Sequence, residues 1–397
     1  MSRPGAAIAR ESFTLGVEEE YQLVEPETGE LRSSGGVVRA GDRSGVVEGE
    51  VQDAMLEIGT PVCTNAAEVM ERLRERRFQA GAAAAAEDLE IMAAGIHPFS
   101  GWKGKELTDA DRPRMLKDLF RQILRQEHIC GMHVHVAVPD ELDRLVLLDA
   151  VRAYTPHLLA LSCSSPFHAG EDTGYDSFRT VTWRRFPTTG VPPTFTSAEE
   201  FRGFMEILLK AGTIPDERTV YWSTRPSPRY PTIELRMCDV CPRISDAVAI
   251  AALGRAVVVA AAEGRLEPTG SSLSPSLQDV VLRENEWLTA RDGLEANIVA
   301  PERSACSIPV RDAIHELLEA VRPIADSLGD GEALRGVETI LERGNGAERM
   351  RARYEKESSL RDLVRWTVEE TRAGAGMDRR AERRNESIVA NRTREGE

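Results

Sequence analysis

The sequence has none of the features that mark membrane-spanning proteins or disulfide-rich secreted proteins. No stretch approaches the roughly 18 consecutive apolar residues that a membrane span needs. The basic residues at the N-terminus are followed by no apolar stretch of the kind found in signal peptides. The six cysteines are scattered over 397 residues without the dense spacing of a disulfide framework. We therefore expect reduced thiols and a cytoplasmic location.

An excess of positive charge is also missing. Lys and Arg number 50 against 65 Asp and Glu, which gives a formal net charge of −15. A surface of this sign repels nucleic-acid backbones and anionic lipids, and no basic patch in the body of the chain overrides it. We expect small-molecule partners, with neither nucleic acid nor membrane among them, and a homo-oligomer stays open.

The glycine-rich fingerprints of nucleotide-binding proteins are absent too. Neither G-x-G-x-x-G nor G-x-x-x-x-G-K-[ST] occurs, so any nucleotide phosphates would be held by other groups. Strand-like and helix-like segments alternate unevenly rather than as regular βαβ units, which favours an α+β fold with an antiparallel sheet. We predict a flexible N-terminus over residues 1–12, a single domain over 13–373 and a charged, disordered tail over 374–397.

Capping patterns locate several helices. Asn65 begins a helix that could run to about Gly95, and Ser197 begins another, each with a glutamate three residues later. An Ala/Val-rich helix is expected after Ser245, and the C-terminal third is expected to be mostly helical. Residue patterns predict strands over 14–24, part of 46–58, 130–138, 220–223 and 232–239.

The predicted strand over 14–24 places two carboxylates on one face. Residues two apart in a strand point the same way, so Glu18 and Glu20 converge while Val17 and Tyr21 point to the other face. Neighbouring anions repel each other, and a bound cation is the economical explanation if that face is enclosed. A solvent-facing acidic strand is the alternative, and this segment alone does not decide between the two.

The segment over 130–138 repeats this geometry with imidazoles. His133 and His135 share one face, and Val134 and Val136 share the other. An H-x-H sequence on a strand is a frequent metal-ligand arrangement. Two histidines also meet by chance in a strand of this length, so the segment by itself leaves metal binding and chance equally open.

Two further segments carry acidic residues. In the strand over 232–239, Glu234 and Arg236 point the same way, and a plain ion pair is the simpler interpretation of that segment alone. Glu50, Asp53 and Glu57 form a less regular set, for which an amphipathic surface turn is the alternative.

Considered together, these segments place ligand-type side chains on one face and aliphatic side chains on the other, which indicates one shared cavity. Because carboxylates dominate and thiolates are missing from the set, hard ions such as Mg²⁺ or Mn²⁺ are favoured over structural zinc. More than one ion could fit.

Arginines lie between these segments. Arg179, Arg185, Arg225 and Arg229 have aromatic or proline neighbours, and guanidinium groups suit carboxylate or phosphate. For each arginine alone, a surface salt bridge is the more frequent explanation. A cavity that combines metal-binding carboxylates with guanidinium groups can hold a polyphosphate and an acid substrate together. This combination points to ATP-driven activation of a carboxylate.

Several motifs together resemble the glutamate-cysteine ligase type 2 family, and its carboxylate-amine ligase branch matches best. They are, in order, Gly16-Val-Glu-Glu-Glu-Tyr, Gly95-Ile-His-Pro-Phe, Gly131-Met-His-Val-His-Val, Arg225-Pro-Ser-Pro and Ile233-Glu-Leu-Arg-Met-Cys-Asp. The resemblance runs from about residue 13 to about residue 370. It implies a glutamine-synthetase-like catalytic fold, in which a curved antiparallel sheet forms a funnel with helices packed behind it.

The resemblance also implies cofactors and residue roles. ATP and a divalent ion, Mg²⁺ or Mn²⁺, would be the cofactors. The implied metal-binding residues are Glu18, Glu20, Glu50, Asp53, Glu57, His133 and Glu234. Arg225 and Arg236 would be catalytic, facing the nucleotide phosphates or the acyl intermediate. The implied substrate-binding residues are Arg179, Arg185 and His135.

The implied activity is ATP-dependent formation of an amide bond through an acyl phosphate. The substrates would be an amino acid carboxylate such as glutamate and an amine such as cysteine, with an activity that can be weak in this branch. Two alternatives stay open: a metal-dependent amide hydrolase built on the H-x-H strand, and a non-catalytic nucleotide- or amino-acid-binding protein of the same fold. Outside the site, His97 is expected to be a hydrogen-bonded core residue, and Cys238 and Cys241 are expected to be packed thiols.

Overall fold

The computed structural model describes residues 9–266 and 270–376, and a seven-stranded antiparallel sheet lies at its centre. The strands are β1 (Leu15–Val24), β2 (Glu48–Gly49), β3 (Met55–Gly59), β4 (Glu90–Met92), β5 (Met132–Ala137), β6 (Phe167–His168), β7 (Glu171–Asp172), β8 (Thr189–Gly190), β9 (Tyr221–Trp222), β10 (Thr224–Pro226), β11 (Thr232–Leu235), β12 (Asn297–Val299) and β13 (Ser307–Pro309). The α-helices are α1 (Gly35–Gly41), α2 (Ala66–Ala85), α3 (Asp111–Phe120), α4 (Gln122–Arg125), α5 (Arg144–Val151), α6 (Thr155–Ser162), α7 (Phe178–Trp183), α8 (Ala198–Lys210), α9 (Ile244–Ala262), α10 (Pro275–Asp292), α11 (Val310–Ser327), α12 (Gly331–Arg343), α13 (Gly346–Glu357) and α14 (Leu360–Ala373).

The main sheet is organised around β1, the longest strand. Its order is β10-β11-β5-β1-β3-β2, and β4 also pairs with β1. Every pairing in this sheet is antiparallel within the described residues. The predicted α+β fold with an antiparallel sheet is therefore confirmed.

One face of the sheet packs on helices and forms the main hydrophobic core. Val17 and Tyr21 of β1 are buried there with apolar residues of α2 and α9, as their alternation along the strand predicts. Helix α9 packs closely on β11. A Cβ added to Gly254 of α9 would lie only 2.7 Å from Cδ1 of Leu235 in β11. By length and mean hydropathy, α9 is the one described helix that could cross a membrane, but 89% of its apolar window is buried inside the fold. A helix buried to this extent is typical of the core of a folded domain.

A buried ion pair fastens α2 to the core face of β1. Arg77 donates to both carboxylate oxygens of Glu19, at 2.6 and 2.9 Å, and neither side chain is exposed at all. The Tyr21 hydroxyl also donates to Glu19, and Arg77 donates to the carbonyl oxygens of Cys241 and Pro242. Glu19 thus belongs to the core face of β1 and not to the cavity face.

The predicted helix starts after Asn65 and Ser197 are confirmed, whereas α9 begins at Ile244, before Ser245, and one predicted helix end is wrong. The Asn65 side chain accepts a hydrogen bond from the Glu68 amide at 2.9 Å, which is the expected cap. The helix ends at Ala85 rather than near residue 95, and Asp88 then takes a left-handed φ of 55°. Residues 90–92 instead form β4 on the second half of β1. This tertiary pairing overrides the helical preference of the alanine-rich segment.

The remaining segment predictions agree with the structure in most places. The cap at Ser197 is present, and the last third is mostly helical. Strand β10, which contains Arg225, is not among the strands that the residue patterns predict. Most of the predicted flexible N-terminus and charged tail, residues 1–8 and 377–397, lies outside the described residues. Arg10 begins a short 3-10 helix and bonds to Glu263 at 2.7 Å.

Candidate active site

Strand pairing places the early glutamates beside their predicted partners. Glu18 of β1 is directly opposite His133 of β5, and Glu20 is directly opposite Glu57 of β3. Directly opposite residues in an antiparallel pair share one face of the sheet. The alternation predicted for each strand therefore adds up to one polar face, which is the face that does not pack on α2 and α9.

The other half of this face comes from β10 and β11. Glu234 is opposite His135 across β11 and β5, and it is also opposite Arg225 across β11 and β10. A cavity of about 240 Å³ lies over this face. Its lining includes His135 and Arg225, the two residues opposite Glu234, and also Arg179 and Arg236. Residues of α3, α4 and α7 form its other walls.

The first candidate cation group consists of Glu18, His133 and Glu234. Each offers one ligand atom, and these atoms all lie within 4.8 Å of one another. Nδ1 of His133 is 3.1 Å from a Glu18 oxygen, and Nε2 of His135 is 3.4 Å from the other. Burial alone would raise the pKa of Glu18, but its hydrogen bonds to the two histidines hold that pKa well below the usual value.

The second candidate cation group consists of Glu20, Glu50 and Glu57, whose ligand atoms also lie within 4.8 Å of one another. Burial, and then the charge of Glu50, raises the pKa of Glu20 and raises the pKa of Glu57 well above the ordinary value. The Gly131 amide donates to Glu20 at 2.6 Å. Three crowded carboxylates with so little compensation fit a hard divalent cation, which would remove their repulsion.

Asp53 does not join either cation group. Its side chain accepts a hydrogen bond from the Gly36 amide at 2.7 Å, and its carbonyl accepts one from Gly35, so the residue fastens the start of α1. The predicted metal-binding role is not supported by this position. The turn between β2 and β3 interrupts the strand alternation, and spacing therefore does not decide which way Asp53 points.

Arg225 and Arg236 both bind Glu234. Arg225 does so through two nitrogens, at 2.8 and 3.1 Å, and donates a third hydrogen bond to the Val220 carbonyl at 2.6 Å. Burial opposes ionisation of Glu234, but the two guanidinium groups hold its pKa well below the usual value. Arg225 is thus largely occupied in orienting Glu234. Arg236 keeps an unpartnered Nε and lines the cavity, so it remains available to an anion.

Arg179 reaches the cavity from α7. Its guanidinium is buried, lies over the Trp183 ring at 5.2 Å from the ring centroid, and donates to the backbone oxygens of Met237 and Arg236. Its Nε has no partner, and the carboxylate of Asp239 is 3.8 Å away. This buried cation is therefore incompletely compensated, which suits it to a substrate carboxylate.

The other two predicted substrate-binding residues differ in position. His135 lines the cavity, and its Nδ1 is 3.0 Å from the Thr232 hydroxyl. Arg185 is exposed, does not line the cavity, and donates instead to the Gln126 side chain at 2.7 Å. The structure therefore does not bring Arg185 together with the other predicted site residues.

Several cavity residues carried no sequence signal. Glu127 follows α4, Tyr221 lies on the short strand β9, and Arg112 and Arg218 both bind Asp216 at 2.7 Å beside the cavity. None of them lies in a strand with a repeating polar pattern, so only the folded chain identifies them.

A second, larger cavity of about 630 Å³ lies elsewhere, along α14 and the end of β1. Its lining combines Arg361 and Arg365 with Glu25 and Glu369. Neither candidate cation group of the described residues lies there. Size therefore does not identify the active site in this protein, and we place it at the smaller cavity over the sheet.

Two predictions outside the cavity are confirmed. His97 is buried, its Nε2 lies 2.8 Å from the Gly29 carbonyl, and its Nδ1 accepts from the Ser100 amide at 2.9 Å. Cys238 and Cys241 are buried free thiols, and burial raises the pKa of Cys238 to about 12. A thiol with such a pKa is protonated and inert at neutral pH.

Comparison with protein families and known proteins finds matches along most of the chain. The model of glutamate-cysteine ligase family 2 matches residues 14–366. A Sorangium cellulosum protein named "Putative glutamate--cysteine ligase 2" is 36% identical over 370 residues, covering 91% of this chain and 97% of the relative. A protein of the same name from Solibacter usitatus is 34% identical over 369 residues, covering 92% and 95%.

Two crystal structures share the fold. A bifunctional glutathione synthetase from Pasteurella multocida aligns with a TM-score of 0.66 and 15% identity, over 92% of this chain and 53% of that one. A glutamate–cysteine ligase from Francisella tularensis in complex with AMP aligns with a TM-score of 0.65 and 13% identity, over 96% and 94%. The fold predicted from the motifs is therefore confirmed.

Proposed function

Because this chain belongs to the glutamate-cysteine ligase family 2, we propose that it joins a carboxylate of glutamate to the amino group of cysteine. The enzyme is an ATP-dependent carboxylate–amine ligase that acts on small molecules. The identity of the two substrates is the part of this function that remains a proposal, and so is the cytoplasmic location expected from the sequence.

The observation that carries the proposal is the presence of two candidate cation groups and a guanidinium pair in one cavity. The groups around Glu18 and Glu20 share the cavity with Arg179 and Arg236. A site for one acid would need only a cation or an arginine. Two cation groups together with separate arginines match a site for a polyphosphate and a carboxylic acid at the same time.

The chemistry requires both of these substrates. An amine does not displace oxide from a carboxylate, so a carboxylate oxygen first attacks the γ-phosphorus of ATP and ADP departs. The amine nitrogen then attacks the acyl carbon, inorganic phosphate leaves with the C–O bond electrons, and the nitrogen loses a proton. The products are an amide, ADP and phosphate.

The residues present fit a divalent cofactor. The holders would be the group of Glu18, His133 and Glu234 and the group of Glu20, Glu50 and Glu57. Bound divalent cations would supply charge neutralisation at the phosphate oxygens. We propose Mg²⁺ as the natural ion, since five of the six ligand residues are carboxylates, with Mn²⁺ as a substitute.

The arginines have separate tasks in this proposal. Arg236 would bind the transferring phosphoryl oxygens, because it lines the cavity and its Nε has no hydrogen-bond partner. Arg225 would act through Glu234, which it orients by two hydrogen bonds. Arg179 would bind a carboxylate of the amino acid substrate, and His135 would help to position Glu18.

The test is a reaction of the purified protein with ATP, Mg²⁺, glutamate and cysteine, followed by phosphate release and by mass spectrometry of the product. We expect phosphate release that depends on both amino acids and a product of their combined mass less one water. Glu20→Gln should abolish turnover, and Glu71→Gln, at an exposed position on α2, should leave it unchanged. Amide hydrolysis without ATP, or nucleotide binding without turnover across a panel of acids and amines, would contradict the proposal.

A further inference from the structure

Glu127 stands out among the cavity residues that the ligase chemistry does not yet use. It lies in the turn between α4 and β5, where its amide donates to the Leu124 carbonyl at 3.2 Å. It lines the cavity, as do Ile129, Trp183 and Tyr221, which belong to one hydrophobic cluster. The segment from α4 to β5 therefore contributes one carboxylate to a cavity that also has apolar and aromatic lining residues.

This carboxylate has no partner of its own. None of the hydrogen bonds or ion pairs among residues 9–266 and 270–376 involves the Glu127 side-chain oxygens, and Glu127 belongs to neither cation group. Arg179 and Arg185 are close enough to favour its charged form, but their hydrogen bonds go to other acceptors. Burial, and then the charge of Glu20, raises the pKa of Glu127 well above its ordinary value.

A carboxylate that lines the substrate cavity and makes no hydrogen bond or ion pair there is suited to a ligand of opposite charge. We propose that Glu127 binds the ammonium group of the amino acid whose carboxylate is activated. The inference rests on the proposed ligase function and names the residue that recognises this feature of the acid substrate.

The choice of ammonium follows from the reaction. The ammonium group of the acid substrate keeps its charge throughout, whereas the attacking amine must be neutral when its nitrogen attacks. A fixed anion in the cavity therefore suits the acid substrate's own ammonium. Arg179 supplies the complementary cation in the same cavity, and a site with one fixed group of each sign matches a zwitterionic amino acid.

The test compares glutamate with glutarate, which has both carboxylates but no ammonium group. We expect the wild-type enzyme to prefer glutamate in kcat/KM at saturating ATP and cysteine. In Glu127→Gln that preference should fall by about 10- to 100-fold, the value of one hydrogen bond to a charged group. The KM for ATP should stay unchanged. Asp118→Asn, at an exposed position on α3, is the matched control and should keep the full preference.

The other outcomes overturn the inference. An equal loss with both acids would mean that Glu127 is a base or a structural residue. A raised Mg²⁺ requirement would mean that it is a cation ligand. If Glu127→Gln fails to fold, Glu127→Asp, which keeps the charge, should retain the preference at a higher KM, and loss of the preference there would also contradict the idea. Wild-type protein that turns over no acid and amine pair would instead overturn the proposed function, and calorimetric binding of glutamate against glutarate would still test Glu127.

Discussion

Gly131 and Arg179 approach so closely that a side chain at residue 131 would occupy the position of the guanidinium group. A Cβ built on Gly131 lies 2.2 Å from Nη2 of Arg179. The glycine that opens the H-x-H motif is therefore explained by a residue of α7, and not by the conformation of its own strand. It allows a buried cation to lie against the backbone beside Glu20.

Gly131→Ala should displace Arg179 and weaken the binding of the acid substrate. We expect the KM for glutamate to rise by about tenfold or more, since small displacements of a positioning group cost this much. The free energy of unfolding should change little, because the displaced atoms are at the far end of a side chain. Steady-state kinetics and urea denaturation measure the two quantities.

The matched control for this substitution is Gly203→Ala on α8, where an added Cβ meets no atom within 4 Å. It should stabilise the protein by about 0.5–1 kcal/mol, because alanine is the better helix former. Its kinetics should equal those of the wild type. An unchanged KM in Gly131→Ala would show that Arg179 does not bind the acid substrate.

Glu57→Gln should have opposite effects on activity and stability. Burial and the neighbouring Glu50 raise the pKa of Glu57, so the ionised form is disfavoured when no cation is present. In EDTA the free energy of unfolding of the variant should therefore exceed that of the wild type by about 1 kcal/mol or more. The variant should also lose one carboxylate ligand of the cation, so added Mg²⁺ should raise its Tm less than it raises the Tm of the wild type. Equal Mg²⁺ stabilisation of both proteins would argue against a cation at this group.

Glu19→Gln should be strongly destabilising although Glu19 lies next to two site residues. It leaves the guanidinium of Arg77 buried without its anion, and breaking such a pair costs about 3–5 kcal/mol. Thermal or urea denaturation measures the loss. The exposed variant Glu71→Gln should differ from the wild type by less than about 0.5 kcal/mol. A small effect of Glu19→Gln would indicate that Arg77 finds solvent in the variant.

The stability of the protein should fall on acidification below about pH 6.5, because buried histidines must stay neutral. Burial lowers the pKa of His97 to about 3, and its Nδ1 accepts hydrogen bonds from two amides. The unfolded state, with an ordinary histidine pKa near 6.5, binds the proton first. The stability that the neutral His97 side chain contributes is therefore complete above pH 6.5 and is lost as the pH falls from there towards 3.

Between pH 6.5 and pH 5, His97 should account for about 1–2 kcal/mol of this loss. His128 and His157, whose pKa values burial lowers to about 4, add to it. The measurement is urea denaturation at several pH values, with His97→Gln as the comparison. A variant with the same pH slope as the wild type would mean that His97 is protonated in the folded state.

Strand alternation was the most reliable guide to the site. Residues two apart on one strand share a face whatever the rest of the fold does. The pairs Glu18 with Glu20 and His133 with His135 could therefore be assigned from the sequence. Where no strand imposes this rule, as at Asp53 in the turn before β3, the direction of the side chain depends on nearby backbone donors and could not be predicted.

The family motifs extended the prediction to the fold but not to every role. Arg225 and Arg185 were both assigned to ligands, and the structure directs the first mainly to Glu234 and the second to Gln126. A guanidinium group reaches far from its backbone, so its partner depends on which segments lie within that reach. Glu127 was missed for the same reason, since nothing in its local sequence distinguishes it from a surface glutamate.

By itself, the amino-acid sequence determined which side chains share a face of each strand, where the capped helices begin and which family the chain resembles. These properties depend on neighbours a few residues apart. Only the tertiary structure decided that β1 pairs with β3, β4 and β5, which carboxylates form each cation group, and which cavity arginines keep a nitrogen without a partner. Those outcomes depend on contacts between residues far apart in the chain, where packing and competition among hydrogen-bond donors outweigh local preference.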